Sequence, residues 1–173
     1  MKKISPEFSY IVDVRQIPAS GLTLDLQADE TQRRALADRF GIPSIDALSA
    51  RVTLTKINKD RVRVNGAFEA EVKQVCVVSL KTFAQRVRDR FTVIFSQEED
   101  PSLKLNEIDL NMDEDDEIEF LENGKIDVGE LTAEYLSLAL DPFPHAPDAV
   151  FRSESAPETR ENAFSVLEKL KFK

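Results

Sequence analysis

Basic residues in two short stretches have the spacing of a phosphate-binding surface. Arg61 and Arg63 are two residues apart, and so are Arg86, Arg88 and Arg90. Successive side chains of a β-strand point to opposite faces, so this spacing places each set on one face of its strand. The guanidinium fork matches phosphate, and phosphate contacts give affinity for nucleic acid without reading its sequence. If the two strands pair, a cationic row results, and the candidate RNA-binding residues are Arg61, Arg63, Lys73, Arg86, Arg88 and Arg90.

A solvated charged face is the alternative interpretation of these arginines. Charged side chains on a strand keep a sheet soluble and discourage pairing at its edge. The basic stretches also lack the interleaved aromatic residues that binders of single-stranded nucleic acid use for base stacking. The spacing alone leaves both interpretations open.

The sequence offers little of the chemistry that catalysis or metal binding needs. His145 is the only histidine, and it lies in a proline-rich stretch where a solvated or capping role is the simpler interpretation. Cys76 is the only cysteine, and Ser79 stands where a C-x-x-C zinc half-site needs a second thiolate. We therefore interpret Cys76 as a buried structural thiol. We predict no catalytic residues, no metal and no cofactor.

Acidic residues gather in the segment that follows the arginines. Residues 51–90 carry ten basic and four acidic side chains, a net charge of +6, whereas residues 96–134 carry two lysines and fifteen acids, a net charge of −13. The run at 113–117 lacks the glycine and the alternating ligand spacing of a calcium loop. An acidic segment attracts basic proteins and repels nucleic acid. The candidate residues for a basic protein partner are Asp113, Glu114, Asp115, Asp116 and Glu117.

Alternating apolar residues predict the strands that would carry these side chains. We expect strands at residues 8–15, 22–27, 50–58, 61–79, 84–95 and 118–121, of which the three from 50 to 95 form an antiparallel meander. Asn65-Gly66, inside the fourth of these, predicts either a hairpin turn or a bulge.

Capping residues predict two helices. Asp29 is placed to cap a helix that ends at Phe40, before Gly41. Asp127 and Glu130 have the spacing of a capping box at the start of a helix over 127–140. Residues 96–117 lack periodicity and are predicted to form a flexible acidic loop. Residues 148–173 are predicted to be a flexible tail with a short terminal helix.

Composition bounds the class of protein. The chain has 173 residues and a net charge of −9. It has no apolar run of about 18 residues, which a membrane span needs, and its first residues lack the apolar core of a secretory signal. We predict a cytoplasmic α+β protein with one domain at 1–147 and the tail at 148–173. Its twisted antiparallel sheet, open or closed into a small barrel, would pack with one or two helices.

Three segments, in order, resemble a known family. Residues 71–80 (EVKQVCVVSL) with Phe83 resemble the central segment of the YceD-like family, the large ribosomal RNA subunit accumulation proteins. Residues 124–128 (GKIDV) and 138–140 (LAL), and then residues 162–167 (NAFSVL), resemble its later segments. Cys76 matches the first position of a C-x-x-C that members often carry, and Ser79 departs from the second, which argues against a metal role here. The residues that carry the resemblance include Cys76, Asp127, Glu134, Pro144 and Phe164.

The resemblance implies a function in ribosome biogenesis. The family is associated with accumulation of large-subunit ribosomal RNA in bacteria and plastids, and it has no established enzymatic activity. We therefore expect a non-enzymatic factor that binds rRNA phosphates, a basic ribosomal protein, or both. A protein-binding module whose acidic segment clamps a basic partner, without RNA contact, is the alternative. The sequence leaves the oligomeric state open.

Overall fold

The structure, a computed structural model, describes residues 6–97 and 117–150. In chain order its elements are β1 (Ile11–Asp13), β2 (Leu22–Gln27), α1 (Glu30–Phe40), β3 (Ser44–Lys56), β4 (Arg61–Val75), β5 (Thr82–Ser96), β6 (Glu117–Phe120), β7 (Lys125–Asp127) and α2 (Val128–Ala139). Most of the predicted acidic loop and all of the predicted terminal helix lie outside the described residues. The division into 1–147 and 148–173 stays a prediction.

Five strands form one twisted sheet in the order β2-β3-β4-β5-β6. The first three pairings are antiparallel, as a meander predicts, and β6 joins β5 in parallel. The strands β1 and β7 pair with each other in a separate two-stranded sheet. Because β2 and β6 are the two edges and do not pair, the sheet is open. The α+β class is confirmed, and the barrel alternative is wrong.

Several strand bounds differ from the predicted ones. The long strand predicted at 61–79 ends at Val75, where a turn begins, and the strand predicted at 50–58 starts six residues earlier, at Ser44. Only three residues of the predicted strand at 8–15 pair, because their partner is the short strand β7 rather than the main sheet. Alternation in the sequence indicates which residues have an apolar face. How many of them form strand-to-strand hydrogen bonds depends on the length of the strand with which they pair.

Both helices begin at the predicted caps. Asp29 and Gln32 form a capping box at the start of α1, and Gly41 ends that helix with a φ of 67°. Asp127 caps α2 and accepts from the N–H groups of Gly129 and Glu130. The predicted capping box of α2 does not form, because the Glu130 carboxylate lies 2.7 Å from the guanidinium of Arg39. Neither helix in the described part of the chain is long and apolar enough to cross a membrane.

The two faces of the main sheet differ sharply. Residues of β4 alternate along its length, so that Val62, Val64, Phe68 and Val72 are buried while the residues between them are mostly exposed. The buried side chains form the inner face, which packs against α1 and α2. We call the opposite side of the five-stranded sheet the outer face. The alternation of two residues per repeat puts every predicted arginine on this outer face.

Gly66 is neither a turn nor a bulge. It lies inside β4, in register with Phe91 of β5, and an added Cβ would overlap the Phe91 ring. That ring stacks on Tyr135 of α2 with ring centroids 4.5 Å apart. The prediction for Asn65-Gly66 is therefore wrong. Glycine here makes room for an aromatic side chain between sheet and helix.

Replacing Gly66 with alanine is expected to lower the free energy of unfolding by about 1–3 kcal/mol, since the new methyl group displaces a packed ring. Urea unfolding measures the loss. The variant Phe91→Leu serves as the partner in a double-mutant cycle, because the smaller side chain leaves room for the methyl group. Strictly additive losses in the double variant would show that the ring is not the obstacle.

Candidate nucleic-acid interface

The arginine row on β5 lies beside carboxylates of β4. Arg86 is in register with Glu71, and its Nη2 lies 2.6 Å from that carboxylate. Arg88 is in register with Glu69, at 3.0 Å. The Arg88 guanidinium holds the pKa of Glu69 below its usual range, and the Glu71 carboxylate raises the pKa of Arg86. The two arginine-bearing strands do pair, and two of the three arginines on β5 have acidic neighbours across the strand.

Arg90 differs from the other two arginines of the row. It is exposed and in register with Ala67, which offers no charge. Across β4 from it, Arg51 of β3 bonds Asp25 of β2 at 2.7 Å. Among the described residues, no ion pair involves the Arg90 guanidinium. Arg90 is thus the clearest candidate in the row for a phosphate contact.

The outer face keeps a net positive charge despite its acids. Among the described residues, seven basic side chains lie on this face or reach it and four acidic ones do, which gives a net charge of +3. The basic residues are Arg51, Arg61, Arg63, Lys73, Arg86, Arg88 and Arg90, and the acidic ones are Asp25, Asp46, Glu69 and Glu71. The positive excess remains although the whole chain is acidic, which is the electrostatic condition for attracting phosphates.

An open concavity of about 830 Å³ runs across β2, β3, β4 and β5. Its lining includes the small side chains of Ser49 and Ala67. The charged residues of the lining are three arginines and three acids, namely Arg51, Arg88, Arg90, Asp25, Glu69 and Asp89. Small residues in the middle leave room for a ligand to approach the sheet, while the arginines are long enough to reach it from the sides. A concavity that is open and crosses four strands suits an extended ligand more than a small compact one.

The remaining predicted cations lie at the ends of the outer face. Arg61 and Arg63 are in register with Ser96 and Ile94, so they share a face with the β5 row but not its centre. Arg63 is four residues from Ala67 along β4, about 14 Å at 3.4 Å per residue. Lys73 is at the other end and bonds Asp46 at 3.0 Å. The structure therefore brings all six candidates to one face and spreads them along β4 and β5.

The strand β6 adds apolar residues that the sequence interpretation missed. Its parallel pairing puts Ile118 beside Ile94 and Phe120 beside Ser96. Phe120 is 51% exposed, whereas its neighbour Leu121 is buried in the core. The alternation predicted a strand here, but its parallel pairing with β5 depends on a connection through residues 98–116 that periodicity does not specify. An aromatic side chain thus lies on the outer face beside the Arg61 end.

Cys76 lies in the interior, as predicted. It begins the turn between β4 and β5 and has no exposed surface. The Ser79 N–H donates to its Sγ at 3.4 Å, and the Leu80 N–H donates to its carbonyl oxygen at 2.9 Å. Hydrogen bonds from the backbone of Ala146, and then from Ser79, lower the pKa of the thiol to about 6. Ser79 therefore serves as a hydrogen-bond partner of the sulfur.

The proline-rich segment holds the same turn. The Val77 N–H donates to the Pro144 carbonyl oxygen at 2.9 Å, and His145, next in the chain, is exposed. Asp127 acts at the start of α2, and Glu134 lies on its exposed side. These residues of the family resemblance occupy structural positions away from the concavity. Phe164, with Asp113, Glu114, Asp115 and Asp116, lies outside the described residues, while Glu117 begins β6.

The described part of the chain has no cluster of side chains with metal-binding geometry. Within residues 6–97 and 117–150, no three His, Cys, Asp or Glu side chains are grouped so that they could hold an ion. The chemistry that the described side chains offer is ionic and hydrogen-bonding contact over an open surface.

Comparison with known protein families identifies the family of this chain. The family model described as "Large ribosomal RNA subunit accumulation protein YceD" matches residues 64–171, more than half of the chain. The matched range begins within β4 and includes β5, β6, β7 and α2. No curated protein and no solved structure matched the chain.

Proposed function

Because this chain belongs to the YceD family of large ribosomal RNA subunit accumulation proteins, we propose that it supports rRNA accumulation by binding rRNA phosphates on its outer face. The role is non-enzymatic and cytoplasmic, and it needs charge and shape rather than a reacting group. The observation that carries the proposal is the open outer face, to which the described residues give a net charge of +3.

The ion pairs on the outer face do not prevent phosphate binding. Arg86 and Arg88 are more than half exposed, as is Arg51. Exposed pairs of this kind contribute about 0.2–1 kcal/mol each, because water screens the charges. Displacing a carboxylate from one of these arginines therefore costs little free energy. The release of counterions from the RNA then favours the phosphate contact.

Arg90→Ala is expected to lower the slope of log K against log salt for binding of a large-subunit rRNA fragment by about one, since one phosphate contact is lost. Arg90 suits this test because no carboxylate is left unpaired when it is removed. Filter binding of the purified full chain at several salt concentrations measures the slope. The control is Arg34→Ala, an exposed arginine on α1, which should leave the slope unchanged. Equal slopes for wild type and both variants would contradict the proposal.

A protein-binding role for the acidic segment is the second candidate. Residues 98–116 contain nine acids and one lysine, and a basic ribosomal protein has the matching charge. Affinity purification with and without nuclease separates the two roles. A basic partner that stays bound after nuclease treatment, together with no direct RNA binding by the purified chain, favours the second.

A further inference from the structure

An exposed aromatic side chain stands at one end of the outer face. Phe120 is the last residue of β6, in register with Ser96, which in turn is in register with Arg61. The burial of Leu121 in the core shows that Phe120 points the other way, toward the outer face. Ile118, two residues earlier on the same strand, is 39% exposed. One aromatic and one aliphatic side chain thus extend the arginine-bearing surface at its Arg61 end.

Exposed apolar side chains such as Phe120 and Ile118 are unusual on an edge strand. Edge strands of soluble proteins are commonly protected by charged side chains or proline, because an exposed apolar edge invites association. Here the outward residues of β6 are Ile118 and Phe120, while the neighbouring outer face of β4 and β5 is cationic. A surface that combines cations with an exposed aromatic ring has the composition of a single-stranded nucleic-acid site, in which the backbone follows the charges and a base stacks on the ring.

We propose that Phe120 is a stacking site for an unpaired base of the RNA whose phosphates contact the arginine row. The inference rests on the proposed function and adds a ligand class to it, namely RNA with a single-stranded segment. Six residues of β5 separate the Phe120 level from Arg90, about 20 Å along the strand. At a stacked spacing of 3.4 Å this distance holds about six nucleotides. Stacking on phenylalanine recognises a ring face, so the site tolerates any base.

Phe120→Ala is expected to weaken binding of a single-stranded oligouridine of about twelve nucleotides by roughly 5- to 100-fold, the loss that accompanies removal of one stacked base. Binding of an RNA duplex with blunt ends should change less than twofold, because its bases are not available for stacking. Phe120→Tyr and Phe120→Trp should bind the single strand like wild type. Phe120→Leu, which keeps an apolar side chain on β6, should bind like the alanine variant.

The matched control is Phe143→Ala, which removes an exposed phenylalanine that lies in the proline-rich segment. It should leave both affinities unchanged. If Phe120→Ala and Phe120→Leu bind the single strand like wild type while Arg90→Ala still lowers the salt slope, the stacking site is refuted and the proposed function stands. If the wild-type chain binds neither RNA, both proposals are wrong, and a protein that crosslinks at Phe120 would identify the surface as a protein-binding site.

Discussion

Replacing Arg86, Arg88 and Arg90 together with alanine is expected to weaken binding of a large-subunit rRNA fragment about 100-fold at near-physiological salt. Each of these arginines contributes about 1 kcal/mol, which is the share of one phosphate contact in sequence-independent binding at physiological salt. Three such contributions amount to about 3 kcal/mol, and tenfold in affinity corresponds to about 1.4 kcal/mol. The slope of log K against log salt should also fall by about two to three.

The triple variant is expected to change the charge of the outer face while leaving the fold intact. All three side chains are exposed, and β5 is held in place by its inward residues and by β4. Its outer face changes from a net charge of +3 to zero, with Glu69 and Glu71 left without their arginine partners. Restoring part of the balance with Glu69→Gln and Glu71→Gln in the same chain should therefore recover some affinity. Recovery of this kind would show that charge on this face controls binding.

A control variant of equal net charge distinguishes the effect of charge on the outer face from the effect of the protein's total charge. Arg15, Arg34 and Lys125 are exposed and lie outside the five-stranded sheet. Their triple alanine variant carries the same net charge as the Arg86, Arg88 and Arg90 variant. Similar losses of RNA affinity in the two triple variants would mean that overall charge, and not the outer face, is responsible.

Local patterns in the sequence predicted much of the scaffold. The strand at Leu22–Gln27 has the predicted bounds, and α1 begins after Asp29 and ends before Gly41 as predicted. These features depend on residues close in the chain, where caps and alternation act directly. The placement of Arg86, Arg88 and Arg90 on one face follows from the same rule.

Contacts between distant residues account for what could not be predicted. The pairing of Arg86 with Glu71 depends on the register of β4 and β5, and a shift of two residues would change every partner. The role of Gly66 depends on Phe91 and Tyr135, which lie far along the chain. Phe120 lies on the outer face because the register of β6 with β5 places it beside Ser96. The register between strands thus decides which side chains meet in the candidate site. The spacing of residues within one strand does not specify that register.

The residues that carry the family resemblance lie apart from the arginines of the proposed binding surface. Cys76, Asp127 and Pro144 lie where segments that are distant in sequence meet. The Val77 N–H donates to the Pro144 carbonyl oxygen, and the Asp127 carboxylate accepts from the Tyr10 N–H. Their chemistry is that of turns and caps, and their removal should affect folding before it affects RNA binding.

Asp127→Ala is expected to lower the free energy of unfolding by about 3 kcal/mol. One carboxylate oxygen caps α2 by accepting from Gly129 and Glu130 at 3.2 and 3.1 Å, and it also accepts from the Tyr10 N–H at 2.8 Å. The other oxygen accepts from the Ser9 hydroxyl. The substitution therefore removes a helix cap and the attachment of the N-terminal segment together. Urea unfolding followed by circular dichroism measures the loss.

Asp29→Ala provides the matched control, because Asp29 caps α1 and its carboxylate bonds the N–H of Gln32 without linking a distant segment. Its loss should be about 1 kcal/mol, the usual cost of removing a cap. Asp127→Asn keeps an acceptor oxygen and should fall between wild type and Asp127→Ala. Equal losses at Asp127 and Asp29 would contradict the attachment role, since only the cap would then be contributing. A larger loss at Asp127, with the RNA salt slope of the folded variant unchanged, is the result that separates scaffold from binding surface.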